Sequence, residues 1–224
     1  MNPPLHPTWQ REDELRVAGF EYVIGVDEAG RGPLAGPVVA GAVILPRDFD
    51  SPHFSKLTDS KLLNEATREI LYEEISARAA WGVGACNAAE IDQINIRQAS
   101  WLAMQRAVAE LLSRSTVDID RTFVLIDGLP YGLGPWPYEA IVKGDSKSFS
   151  IAAGSIIAKV TRDRMMRQFD AEFPVYGFAS HKGYGSTKHL AALETHGPCA
   201  LHRKTYAPVR RILEKHENLG SKSV

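Results

Sequence analysis

Four carboxylates in this chain stand where apolar runs end. "VIGVDE" delivers Asp27 and Glu28, "FVLIDG" delivers Asp127, and "IVKGDS" delivers Asp145. If those runs are neighbouring strands of one sheet, the acids converge. Gathered like charges raise one another's pKa unless a cation neutralises them. An all-oxygen donor set without Cys or His favours Mg²⁺ or Mn²⁺ over zinc. A single Asp after a strand is better explained as a turn or capping residue. Two consecutive acids after an apolar strand exceed what capping needs. Adjacent strand residues face opposite ways, which opposes a shared ion; the objection weakens if the strand ends or bulges at Glu28, as Gly30 and Gly32 would permit. The sequence leaves that choice open.

The turn after the acids, Gly30-Arg31-Gly32, invites comparison with nucleotide-binding loops. Its glycines do not fit the dinucleotide fingerprint, and Pro33 and Pro37 lead into another β-type run, "VVAGAVIL", rather than into a helix. No Gly-Lys-Ser/Thr occurs, so the P-loop pattern is absent. What remains is a tight turn with exposed backbone and one arginine, able to approach a sugar-phosphate chain closely.

The elements that must position these groups alternate in α/β order. Strands are expected at 22–27, 37–46, 81–88, 122–128 and 139–144, and helices at 64–80, 95–114, about 150–171, 186–196 and 208–217. On the 150–171 helix, Ser155, Lys159, Arg162 and Asp163 recur at helical spacing as one polar stripe. Ser155, Lys159 and Arg162 are therefore candidate phosphate contacts, with a solvated face as the plain alternative. In "LHRKTYAPVRR", His202, Arg203, Lys204, Arg210 and Arg211 offer a basic face for a duplex.

Composition sets outer bounds. The chain has 224 residues, 44% hydrophobic and 24% charged, with a net charge of −1. That balance hides an asymmetry: 12 Lys+Arg against 20 Asp+Glu in 1–140, and 14 against 7 in 141–224. A polyanion could sit on the second portion while the first holds cations. Two cysteines make no disulfide framework. The start lacks the apolar core of a signal peptide and no run reaches membrane-spanning length, so a cytoplasmic protein without membrane partners is expected.

The segments "GVDEAGRGPLAGPVVAGAVIL", "LTDSKLL", "VLIDG", "IVKGDSKS", "SIIAKVTRDR" and "YGFASHKGYGS" occur in the order typical of bacterial ribonuclease HII. The chain resembles that family from about 20 to 210. The resemblance implies an RNase H-like α/β fold, a central mixed five-stranded sheet flanked by helices, with a C-terminal helical extension. The chain is expected to divide into a partly flexible segment at 1–20, a catalytic core at 21–174, a substrate-binding extension at 175–216 and, from its composition, a disordered tail at 217–224. The resemblance further implies a monomeric Mg²⁺- or Mn²⁺-dependent endonuclease that cuts the RNA strand of RNA/DNA hybrids and incises 5′ to single ribonucleotides in duplex DNA. Position by position, Asp27, Glu28, Asp127 and Asp145 match the family's four-carboxylate site. Gly30, Arg31 and Gly32 match the loop contacting the ribose 2′-OH and adjoining phosphate. Tyr184 matches a tyrosine that stacks on the following deoxyribose, although a tyrosine in a glycine-rich loop taken alone is a packing residue. Lys61 matches a phosphate-contacting lysine. Leu129 stands where family members often have Asn, and Gly154 where alanine is common, which places local stability in question. A DNA-cleaving nuclease or resolvase would share the acids but need no Gly-Arg-Gly reader; a non-catalytic binding module would have no use for them.

Overall fold

Runs of Val, Ile and Ala bounded by Gly and Pro become strands, and they assemble into one sheet. The computed structural model describes residues 6–130, 132 and 134–220. Strands β1 (Tyr22–Ala29), β2 (Val38–Ile44), β3 (Ala80–Cys86), β4 (Thr122–Asp127) and β5 (Tyr138–Ile141) lie in the order β3-β2-β1-β4-β5. β1 pairs antiparallel with β2 and parallel with β4, and β4 pairs parallel with β5. The sheet is thus mixed and five-stranded, as expected. The α-helices of the described residues are α1 (Gln10–Val17), α2 (Glu65–Arg78), α3 (Ala88–Arg114), α4 (Phe149–Glu172), α5 (Phe178–His181), α6 (Thr187–His196) and α7 (Ala207–Gly220). None is long and apolar enough to cross a membrane.

The helix expected at 95–114 begins seven residues earlier, at Ala88. Asn95 is left-handed there (φ 66), and its side chain accepts from the N–H groups of Arg97 and Gln98, capping a second helical stretch. The segment 1–20, expected to be partly flexible, contains α1, whose Glu12 is fully buried and accepts from Ser148 Oγ (2.7 Å) and the Ser150 N–H (3.0 Å). That carboxylate sits on the first turn of α4, where free N–H groups and the helix dipole favour an anion. Residues 1–5 lie outside the described residues. At the other end α7 runs to Gly220, into the segment expected to be a tail, and 221–224 are again outside.

The chain divides into two compact units interleaved along the sequence. The first takes in the described part of Met1–Ala29 with Val39–Ala85 and Ser100–Val160; the second takes in Gly30–Val38, Cys86–Ala99 and the described part of Thr161–Val224. In the first, Val43, Leu45, Leu57, Leu71, Ile75, Ile156 and Ile157 form a buried cluster rimmed by Trp9, Phe54 and Phe149. In the second, Leu34, Met166, Tyr176, Phe178, Leu193, Val209 and Ile212 form another.

Glycines let α4 descend onto the strands of the first unit. A Cβ at Gly154 would lie 2.9 Å from the Gly41 carbonyl oxygen and 3.0 Å from that of Gly25. Gly154 is therefore the site of helix-to-strand contact rather than a local weakness, correcting the doubt raised by its departure from alanine. The reciprocal Cβ at Gly41 would lie 2.5 Å from the Gly154 oxygen and 2.8 Å from the Ala158 nitrogen. All these neighbours are backbone and cannot swing aside. Gly41→Ala is expected to destabilise the protein by about 1–3 kcal/mol, the cost of overpacking. Equilibrium urea unfolding measures this, and an unchanged midpoint would show that the layers have room to part.

Candidate functional site

The sheet carries the first carboxylates to one edge of its hydrogen-bond ladder. β1 and β4 pair up to Val26↔Ile126, so Asp27 is the first β1 residue beyond that ladder, while opposite Gly41 it is still held by β2. Asp127 ends β4. Open α/β sheets characteristically place ligands at the carboxyl ends of parallel strands. The strand neither ends nor bulges at Glu28: pairing with β2 continues through Glu28↔Ala40 and Ala29↔Val39 without an offset. The relief from alternation that a bulge would offer is absent, and regular alternation alone would turn Asp27 and Glu28 to opposite faces. Glu28 nevertheless acts on Asp27, second only to burial in raising its pKa.

Asp145 arrives through a turn built for it. Lys143 is left-handed (φ 56), and Gly144 donates its N–H to Asp127 Oδ1 at 2.6 Å. Asp145 follows and is 5% exposed. Burial, then the charges of Asp59 and Asp127, push it up to about 6, against the pull of Lys61 and of Ser146. Asp27 is 4% exposed and is held well above the usual carboxylate range by burial, then Glu28 and Asp127, with Asp145 adding to the effect. Partial burial works against the charge on Lys61, but Asp27, Asp59, Asp145 and Asp127 outweigh it and hold its ammonium above the ordinary lysine value. The structure thus draws Asp27, Glu28, Asp127, Asp145 and Lys61 into one electrostatic cluster. Asp59 belongs to it as well, and sequence reading passed over it although it lies in the quoted "LTDSKLL". Its side chain accepts from the Lys61 N–H and lies 4.0 Å from Lys61 Nζ.

The carboxylates of this cluster suit a divalent cation in charge and donor type, being oxygen donors whose crowding raises Asp27 and Asp145. Among the described residues, no three His, Cys, Asp or Glu are close enough to hold one ion as they stand. Asp27 Oδ1 accepts from the Glu28 N–H at 2.7 Å, and Asp127 Oδ1 from Gly144, so each carboxylate is oriented by backbone.

The glycine turn belongs to the second unit, where two buried guanidiniums hold it by its carbonyls. Arg203 donates to Gly30 O (2.6 Å), Arg31 O (2.8 Å) and Gly36 O (2.9 and 3.1 Å). Arg162 donates to Pro37 O (2.9 Å), Ala35 O (3.2 Å) and Lys182 O (3.0 Å). Burial, then the neighbouring charge of Arg203, lower Arg162 to about 10. Gly30 (φ 100) and Gly36 (φ 84) occupy the left-handed region that lets the loop turn its carbonyls inward. Arg31 and Gly32 are exposed, and the Tyr184 ring, 49% exposed, lies 3.5 Å from where a Gly32 Cβ would be.

Several expected contacts lie elsewhere. Ser155 is buried and donates to Ala152 O of its own helix; Arg162 is buried and committed to the loop carbonyls. Neither is a phosphate contact, because the supposed polar stripe of α4 faces protein. Lys159 is only half-buried. Of the basic C-terminal face, His202 and Arg203 are buried, while Lys204, Arg210 and Arg211 are exposed. Periodicity could not reveal that Arg162 and Arg203 are loop scaffolds, since their acceptors are backbone carbonyls far away in sequence. Leu129, the other departure, is exposed at 57%.

A family model described as Ribonuclease HII matches residues 24–209. A ribonuclease HII of Bacillus cereus is 50% identical over 205 residues, covering 91% of this chain and 76% of that one. Among solved structures, the ribonuclease H2 from Pyrococcus horikoshii OT3 matches at a TM-score of 0.65 and 26% identity, over 87% of this chain and 98% of that one. Bst-RNase HIII, solved in complex with Mn²⁺, matches at a TM-score of 0.67 over 91% of this chain and 73% of that one; at 18% identity it speaks for the fold alone.

Proposed function

The chain belongs to the ribonuclease HII family of metal-dependent ribonuclease H hydrolases, and from that premise we propose that it incises duplex DNA 5′ to an embedded ribonucleotide by two-metal hydrolysis. The single observation that carries the site assignment is the strain on Asp27, which is buried and held above the usual carboxylate range by that burial and then by Glu28, Asp127 and Asp145. Such a cluster stabilises nothing unless a cation joins it. Asp27 and Asp127 would be principal ligands, with Glu28 and Asp145 completing the set, for Mg²⁺ or Mn²⁺. A bound pair of such ions supplies a nucleophilic water at neutral pH and stabilises the leaving 3′-oxygen.

The remaining residues bind and orient. Backbone groups of Gly30, Arg31 and Gly32 face the ribose, with the Gly30 and Arg31 carbonyls held from within by Arg203; the ribose 2′-OH alone tells RNA from DNA at a nucleotide. The Arg31 side chain meets the adjoining phosphate. Tyr184, beside Gly32, packs on the next sugar, and Lys61 neutralises phosphate near the acids. Ala29 alone separates Glu28 from Gly30 in sequence, so the proposed ligands and reader lie within one short segment.

A 5′-labelled duplex with one ribonucleotide, incubated with Mg²⁺ or Mn²⁺, is expected to give a single cut 5′ to that nucleotide, and none with EDTA. Equal cutting of an all-DNA duplex would refute the ribonucleotide reading; cutting in EDTA would refute the metal one.

A further inference from the structure

Three histidines lie beneath Tyr184 in an arrangement with one consistent placement of protons. His189 Nδ1 is 2.9 Å from the carbonyl oxygen of Tyr184, an acceptor only, so that nitrogen carries the hydrogen and Nε2 is bare. His202 Nδ1 accepts from the Cys199 N–H at 3.0 Å, with Cys199 Sγ at 3.2 Å, so its hydrogen is on Nε2. The two Nε2 atoms are 3.0 Å apart, His202 donating to His189. His181 stacks on His189 with ring centroids 4.5 Å apart; it accepts from the Gly183 N–H and donates to Tyr176 O. Tyr176 and Phe178 present their edges to His189. His189 and His202 are almost fully buried. Burial, foremost, holds both below the ordinary histidine range, His202 at about 4. A proton added to His189 would set two donors against each other at the Nε2 contact, and one added to His202 would set its Nδ1–H against the Cys199 N–H.

The pair joins two loops. The Tyr184 carbonyl also accepts from the Ser186 N–H at 2.8 Å, and Ser186 Oγ caps α6, which carries His189. On the other side His202 bridges Ala35 through its backbone, and Leu34 donates its N–H to Gly183 O. The turn bearing Tyr184 and the loop bearing Gly30, Arg31 and Gly32 are therefore fastened to the same buried pair.

We propose that His189, oriented by His202, is a positioning residue that fixes the Tyr184 turn against the glycine loop and so sets how the tyrosine ring meets the nucleic acid. The inference rests on the reading of Tyr184 as a substrate contact. It concerns no proton transfer, since both rings stay neutral.

Incision kinetics on a duplex with one ribonucleotide test it, with His189→Gln and His189→Asn each made in the native and Tyr184→Ala backgrounds. Asn places an amide N–H near the Nδ1 position, whereas Gln places it near Nε2. His189→Gln is expected to raise KM about tenfold with kcat little changed, the scale of one lost buried hydrogen bond. His189→Asn should restore most of that loss, and His189→Gln should add nothing once Tyr184 is Ala. An equal effect of His189→Gln in both backgrounds, or Asn as damaging as Gln, overturns the proposal alone. A Tyr184→Ala variant with native KM overturns the substrate reading of Tyr184 and this proposal with it. Independently of any variant, ¹⁵N shifts of the native protein at pH 7 should show His189 as the neutral Nδ1–H tautomer and His202 as the neutral Nε2–H tautomer; the reverse tautomers, or a charged ring, would break the relay.

Discussion

The Asp27→Asn variant is expected to lose incision activity by at least roughly 10²–10³-fold, the scale on which removing one preorganised charge-stabilising group acts, and yet to melt above the native chain in EDTA. Both effects have one cause. Asp27 is buried with Glu28, Asp127 and Asp145 acting on it, and its carboxyl is raised well above the usual range. An acid whose pKa is higher folded than unfolded binds more protons folded, so stability falls as pH rises from the unfolded value toward the folded one. The native chain therefore bears the cost at neutral pH, and Asn, of nearly the same shape, does not. The gain should vanish below about pH 4, where the unfolded carboxyl is protonated as well. In a chain of this size each 1 kcal/mol moves the midpoint by about 2–4 °C. Added Mg²⁺ or Mn²⁺ should stabilise the native protein, by about 1.4 kcal/mol at ten times the dissociation constant, and should stabilise the variant less. Scanning calorimetry at pH 4 and pH 7, with and without metal, settles it. A variant that melts lower at pH 7 in EDTA would mean that Asp27 is not strained, and one that keeps its activity would remove Asp27 from the ligand set. Duplex affinity should persist, because the loop and Tyr184 are untouched.

The second large effect is expected from Arg203→Met. The side chain is fully buried and holds the carbonyls of Gly30, Arg31 and Gly36, along with the Tyr206 hydroxyl at 2.9 Å. Met fills comparable volume and removes a desolvated charge beside Arg162, which favours the variant. Against that, the Gly30 and Gly36 carbonyls lose their donor at about 1–3 kcal/mol each; Arg31 O keeps the Tyr206 hydroxyl at 2.6 Å. The carbonyls outweigh the relieved charge, because a guanidinium among carbonyl dipoles is already partly solvated by them. A net loss of about 2–4 kcal/mol is expected, which corresponds to a midpoint lower by roughly 4–16 °C. Arg203→Lys should recover little, since an ammonium cannot span acceptors that a planar fork reaches together. Activity should fall further than stability explains, because the loop proposed to read the ribose loses its inner support. A thermal midpoint within about 2 °C of the native value would show that water replaces the guanidinium and that the loop does not depend on it.

Much of the fold was legible because it is local. The apolar runs around Ile24 and Leu125, the Gly and Pro punctuation, and the 3.6-residue spacing of α2 and α4 each report their own conformation. Asp127 and Asp145 stand out by position alone, as acids after apolar runs, and the fold brings them near each other through the turn in which Gly144 donates to Asp127. Asn95 and the helix that precedes it were missed, because a capping asparagine inside a continuous helical pattern looks like any polar residue. Ser155 and Arg162 were misread for a different reason. Helical spacing tells which residues share a face, and both do share one, but whether that face meets water or a loop is not a property of the helix.

The sequence by itself determined the α/β order, the acids at strand ends, the glycine turn and, through its ordered motifs, the ribonuclease HII family. Tertiary structure alone decided that β1 runs straight through Glu28, that Asp59 and Lys61 join the acids, and that Arg162, Arg203, His189 and His202 lie buried beneath the Gly30–Gly36 and Tyr184 loops. The division has a physical basis. Backbone conformation and amphipathic period are set by neighbours a few residues apart, whereas the burial and charge state of a side chain depend on groups brought near it only by folding: Arg203 and Gly30 are far apart in sequence, yet form a single hydrogen bond.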